Sequence, residues 1–176
     1  MHRRVFMTTV GLALLGSAVA FAQDVTFDYD RSANFRGYRS YAWIRGTEIS
    51  DELNHKRIVQ AVDAQLAAKG LTATDATGEP DLLVAYHAAF DRQLQINTYG
   101  AGPYRLGGIG SARVEPIVKG ALAVELIDAK TRTTVWRGIA SDELDVDAKP
   151  EKREKNINHA AEKLFKNYPP KQKEMP

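Results

Sequence analysis

The stretch Asp81-Leu82-Leu83-Val84-Ala85-Tyr86-His87-Ala88-Ala89-Phe90-Asp91-Arg92-Gln93-Leu94-Gln95-Ile96-Asn97 decides the fold. Side chains alternate sides along an extended strand. Leu82, Val84, Tyr86, Ala88, Phe90, Leu94 and Ile96 all fall on one side. The other side begins with Leu83, Ala85, His87 and Ala89, then turns polar at Asp91, Gln93, Gln95 and Asn97. The pattern predicts a long strand from Asp81 to about Asn97, buried on both faces in its first half and on one face in its second.

Downstream, the alternation breaks at Thr98 to Arg113, which holds Gly100, Gly102, Gly107, Gly108 and Gly110. Glycines of this density give a loop with little intrinsic order. Two readings stand: a flexible hairpin loop, or a partner-recognition loop anchored by Tyr99, Tyr104 and Leu106. Pairing resumes over Val114 to Asp128, with Leu122, Val124 and Leu126 inward. Asp128-Ala129-Lys130-Thr131-Arg132 is a short hairpin connection, and Thr133 to about Asp145 returns with Val135, Trp136 and Ile139. A helix follows from about Pro150 to Tyr168, its buried face built from Ile157, Ala160, Ala161, Leu164, Phe165 and Tyr168. Pro169-Pro170 stops it, leaving a loose tail over 171–176.

Upstream, Asp24 to Asp30 alternates strictly, placing Val25, Phe27 and Tyr29 on one face of a strand. Arg39 to Ile44 reads as a second, aromatic-rich strand. A helix then opens at Ser50 as N-cap, with Asp51 and Glu52 at its positive end. Ile58, Val62 and Leu66 form its apolar stripe, and Gly70 closes it in a left-handed cap. The order strand, strand, helix, strands, helix gives too few helices to cover both faces of a sheet. The expectation is an α+β two-layer sandwich: a mainly antiparallel sheet with two helices packed on one face. A single domain is expected over 23–170.

The first 22 residues stand apart. His2-Arg3-Arg4 is a basic start, Val5 to Val19 is apolar, and Ala20-Phe21-Ala22 fits the small-x-small pattern of signal cleavage before Gln23. This predicts a cleaved signal peptide over 1–22 and a periplasmic protein with no transmembrane segment afterwards. Once Arg3 and Arg4 are gone, the remainder of the chain's 24 basic residues balances its 22 acidic ones. A neutral, mixed chain offers no electrostatic case for nucleic acid. The chain has no cysteine, which removes disulfides, thiol catalysis and N-terminal acylation.

Several ordered blocks resemble the bacterial envelope family known as domain of unknown function 4136. They are Phe27-Asp28-Tyr29-Asp30 with Ser32-Ala33-Asn34-Phe35, Tyr38-Arg39-Ser40-Tyr41-Ala42-Trp43, Ala61 to Gly70, and Pro80 to His87. Gly120 to Ala129, Val135-Trp136-Arg137-Gly138 and Tyr168-Pro169-Pro170 complete the set. The resemblance implies a small periplasmic or envelope domain, often a lipoprotein. This chain departs from that form in having no cysteine to acylate, which favours a soluble periplasmic protein. The family brings no established catalytic residues.

The candidate chemistry is thin. Asp24, Asp28 and Asp30 share a strand face, but the calcium-loop spacing is absent, so a solvated face is the better reading. His55, His87 and His159 carry no zinc-ligand spacing, and no metal or other cofactor is expected. His87 with Asp91 is the residual ligand-site candidate, although His87 reads better as a hydrogen-bonded sheet histidine under a helix. Ser111 and Ser141 lack a nucleophile elbow. Gly107-Gly108-Ile109-Gly110 opens no helix and cradles no phosphate. No catalytic residue is assigned. The expectation is a non-catalytic binding domain that contacts another envelope protein or a cell-wall component. The alternatives are a hydrolase of an envelope substrate, with polar groups of perturbed pKa converging in a pocket, and a small-ligand carrier.

Overall fold

A computed structural model describes residues 24–47, 49–75, 77–99 and 111–171. The signal region with Ala20, Ala22 and Gln23, the loop residues Tyr104 and Leu106, and 172–176 lie outside the described residues. The elements are β1 (Asp24–Tyr29), β2 (Ser40–Trp43), α1 (Glu52–Ala68), β3 (Thr72–Ala73), β4 (Leu82–Tyr99), β5 (Ser111–Asp128), β6 (Thr134–Leu144) and α2 (Pro150–Phe165). They form one six-stranded sheet of order β1-β6-β5-β4-β2-β3.

The architecture is the expected α+β, with one refinement. β1, β6, β5 and β4 pair antiparallel, but β2 runs parallel to both β4 and β3. The sheet is therefore mixed. A strand that leaves for a helical crossover and returns beside itself must pair parallel, and α1 is that crossover between β2 and β3. The two-residue β3 carries no alternation and was not legible in the sequence.

Both helices lie on the face of the even-numbered β4 residues. There Leu82, Val84 and Tyr86 join Val124, Leu126, Trp136, Val62, Leu66, Leu164 and Phe165 in one buried core. α1 is tied down by Asp63, whose Oδ1 accepts from Tyr41 Oη at 2.7 Å and from Trp43 Nε1 at 2.9 Å. α2 is tied down by Phe165, which stacks on Trp136 at 5.2 Å between ring centroids. Leu126 pairs with Trp136 and Ile127 with Thr134, so Val135 is an extra residue in β6. Such a bulge lets two successive side chains turn inward, and Val135 and Trp136 are both buried.

Three further expectations shift. The N-cap of α1 is Asp51 rather than Ser50: its carboxylate accepts from the backbone N–H of Leu53 and Asn54. A charged acceptor at the positive helix end outcompetes a hydroxyl one residue earlier. Tyr168 is buried but lies past the end of α2 at Phe165. The break at Thr98 comes too early, because strand pairing continues through Thr98↔Ala112 to Tyr99↔Ser111. Backbone pairing propagates along two adjacent strands whether or not their side chains alternate. The α1 exit is as expected. Gly70 has φ +83°, its N–H reaches Ala67 O, and the Leu71 N–H reaches Leu66 O, which is the Schellman arrangement.

Candidate functional site

β4 and β5 outrun the rest of the sheet. β6 follows β5 only to the pair Val118↔Leu144, so Gln93–Tyr99 and Ser111–Ile117 pair with each other alone among the described residues. Seven rungs at strand rise make a two-stranded ribbon roughly 20 Å long. The backbone of Tyr99 ends it. The outer edge of β4 is engaged only near the body. Val84 O accepts from Ile44 N at 2.9 Å, and the Ala88 N–H donates to Thr47 O at 3.1 Å. Alternation then turns the N–H and C=O of Phe90 and Arg92 toward the same edge, where no described strand follows. Phe90 is 59% exposed at the ribbon's base.

His87 sits on the odd-numbered face, opposite the helices, and not under one. Its Nδ1 receives the Thr47 backbone N–H at 3.1 Å and lies 3.0 Å from Thr47 Oγ1. Asp91 stands two pleats further along that face. His55, by contrast, reaches the Tyr86 hydroxyl at 2.7 Å on the helix side. The sheet therefore separates the two histidines. Among the described residues, no three His, Asp or Glu side chains cluster as metal ligands. Asp30 of the acidic trio is occupied by Ser32.

The odd-numbered face carries Ala42, Leu83, Ala85, Ala123, Ile127 and Ile139 with neither helix over it. Arg137 and Glu125 form an ion pair across it.

At the other end of the sheet is a feature that sequence reasoning missed. A cleft of about 320 Å³ is lined by Phe35, Arg36, Tyr38, Arg39, Lys69, Leu71, Tyr168 and Pro169. Phe35 meets Tyr29, Tyr38 and Tyr168 edge-on at about 6 Å. Tyr38 Oη donates to Asp128 at 2.9 Å. Arg39 Nη1 donates to the carbonyls of Arg36 and Tyr38 at 2.7 and 2.9 Å. Asp81 Oδ2 accepts the backbone N–H of Arg39 and Ser40, and the Ser40 hydroxyl. These bonds hold the 35–40 turn against the start of β4. Its parts come from three distant segments, so no local pattern announces it. Six of its residues (Phe35, Tyr38, Arg39, Lys69, Tyr168 and Pro169) nevertheless belong to the blocks that carry the family resemblance.

The shifted groups here move away from neutrality. The backbone N–H of Arg39 holds Asp81 below the usual carboxylate range, and the backbone N–H of Thr131 does the same for Asp128. Burial, then the Asp128 hydrogen bond, pushes the Tyr38 phenol up to about 12. Burial also raises Tyr168. The cleft lining holds three cations and neither a carboxylate nor an imidazole.

Fold and surface together define a two-layer α+β domain with both helices on one sheet face and a projecting β-ribbon. The chain belongs to the family described as domain of unknown function (DUF4136), whose sequence profile matches residues 25–170. It is similar in fold to a DUF4136 family protein from Bacteroides thetaiotaomicron. The TM-score is 0.54 at 16% identity, over 84% of this chain and 96% of that one. It is also similar to a PDZ domain protein from Parabacteroides distasonis, at TM-score 0.58 and 14% identity over 85% of this chain. The chain spans only 36% of that protein. A third likeness is to the PelC dodecamer protein from Paraburkholderia phytofirmans, at TM-score 0.50 and 12% identity, over 82% of this chain and 95% of that one. At these identities the likeness is one of fold. No curated protein matches the chain. No helix among the described residues is long and apolar enough to cross a membrane.

Proposed function

We propose that this chain is an exported, periplasmic envelope domain that works by binding, and that its β4–β5 ribbon is the limb that engages another envelope protein or a cell-wall component. The observation that carries this reading is the ribbon itself: seven paired rungs beyond the body of the sheet. Such a limb contributes little to the core, and its outer backbone groups form a rail for an added strand. Tyr99, Tyr104 and Leu106 are the proposed anchors near its tip. Binding is favoured over hydrolysis because, among the described residues, the carboxylates with shifted pKa move down and the shifted phenols move up, while general acid–base catalysis by such groups near neutral pH is served by the reverse.

The test is photo-crosslinking in the periplasm with reactive groups at Tyr99 and Tyr104, followed by mass spectrometry. One recurrent product is expected from each position. A second arm excises 94–116 and joins Gln93 to Ile117 through Asn-Gly, which preserves the register below the cut. Loss of the crosslinked product from a position retained in the body, with the fold intact, supports the ribbon as the contact. Retention of that product, or no product in an exported and folded protein, overturns it.

A further inference from the structure

We propose that the cleft between the 35–39 turn, the C-terminal end of α1 and the segment after α2 binds a small, ring-bearing organic anion: one carboxylate or phosphate group carried on a body the size of a single sugar. This is independent of the ribbon, which lies at the opposite end of β4.

Charge is the first ground. Arg36, Arg39 and Lys69 line one concavity without an acidic neighbour in its wall. The nearby acids lie outside that wall: Asp81 accepts from the 35–40 turn, Asp128 from Tyr38 and its own hairpin, and Asp30 from Ser32. Neither Arg36 nor Lys69 has a carboxylate partner among the described residues. Cations clustered around a concave wall focus the field and concentrate anions there.

Pre-organisation is the second. The two Nη1 hydrogens of Arg39 are spent on the carbonyls of Arg36 and Tyr38. That fixes the guanidinium plane and leaves its Nη2 and Nε donors for an oxyanion, the fork geometry that suits carboxylate and phosphate. Arg36 is exposed and Lys69 half-buried, so both can close on the same group. The carbonyl end of α1 adjoins Lys69 and opposes an anion by about half a charge. The Schellman bonds from Gly70 and Leu71 engage its last carbonyls, and three full cations outweigh the remainder.

Size and wall chemistry set the rest of the ligand. A volume of about 320 Å³ is at the lower limit for small-molecule sites, which suits one ring and not a polymer. Phe35, Leu71, Tyr168 and Pro169 give that ring an apolar wall.

The experiment is a titration of the ¹⁵N-labelled protein, expressed from the full chain, with glucuronate, glucose 6-phosphate, inorganic phosphate and glucose. Saturable amide shifts confined to 35–40, 69–71 and the segment around Tyr168 are expected with glucuronate or glucose 6-phosphate. Whichever binds more tightly identifies the head group. The variant carrying Arg36→Glu and Lys69→Glu changes two side chains outside the core and should bind at least about tenfold more weakly, with its remaining spectrum unchanged. The proposal is overturned if neither sugar acid saturates, if glucose shifts the same amides, if inorganic phosphate binds as tightly as the sugar acids, or if the double variant binds like the parent.

Discussion

The indole of Trp136 lies across Gly138, two residues further along the same strand and on the same face. A Cβ at position 138 would stand 2.5 Å from Trp136 Cη2 and 3.0 Å from Leu164 Cδ2. Glycine in the strand is what allows the indole to lie flat and α2 to approach the sheet. Phe165 stacks on the far side of that indole, and Tyr168 meets it edge-on at 5.6 Å. This aromatic stack joins the sheet to the cleft. Gly138→Ala should therefore destabilise the fold by roughly 1–3 kcal/mol, the range for overpacking a full core. The urea midpoint should fall, with a changed near-UV circular dichroism spectrum.

Asp63 is the polar peg of α1, because a single oxygen accepts from both Tyr41 and Trp43. Asp63→Ala leaves the hydroxyl of buried Tyr41 and the indole N–H of half-buried Trp43 without that acceptor. A loss of about 2–3 kcal/mol is expected. Asp63→Asn keeps a carbonyl oxygen at the same place and should lose less than half of that. Equal losses in urea unfolding would show that the charge, and not the accepting geometry, holds the helix.

Gly46 passes close to the β4 edge, where a Cβ would stand 2.0 Å from Tyr86 O. Backbone cannot yield as a side-chain tip can. Gly46→Ala should lift the 44–47 segment off the edge and break the bond from Ala88 N–H to Thr47 O. Amide exchange at Ala88 should accelerate while exchange in the β5–β6 ladder stays slow. If the proposed rail on β4 is real, crosslinking should persist in this variant, because it exposes more edge without touching the ribbon.

Stability should fall at both extremes of pH. Asp81 and Asp128 have folded pKa values below the unfolded one of about 3.9. Their contribution is complete above that value and disappears as pH drops through the folded pKa. Tyr38 runs the other way: its folded pKa of about 12 exceeds the unfolded value of about 10. Its contribution is complete below pH 10 and disappears as pH rises toward 12. Urea midpoints measured against pH should show a plateau between these limits. In Tyr38→Phe the alkaline fall should shrink while the acid contribution of Asp81 remains.

Much of this fold was legible in the chain because its signals are periodic and local. The even-numbered run from Leu82 and the returning Leu122-Val124-Leu126 face select each other in register. Ile58, Val62 and Leu66 could bury nowhere but against that face. Gly70 was recognisable because only a left-handed residue completes the α1 exit. The site was much less legible. Tyr99 was marked by the glycines that follow it, yet the sequence could not show that pairing persists up to it, since an unsupported ribbon needs no alternation. His87 was assigned to the wrong environment: odd and even faces are both apolar around it, so pattern alone could not tell which one carries the helices.

The sequence by itself determined the long strands and both helices, the α+β class, the membership implied by its ordered blocks and the apolar face on which everything packs, because each follows from alternation, helical spacing or capping over a few residues. Only the tertiary structure decided that β2 runs parallel to β4, that β4 and β5 project beyond the body, and that Arg36, Arg39 and Lys69 surround one cleft. Those outcomes depend on where a crossover helix returns the chain and on which distant turns meet at the end of a sheet, and such relations leave no periodic trace in the order of residues.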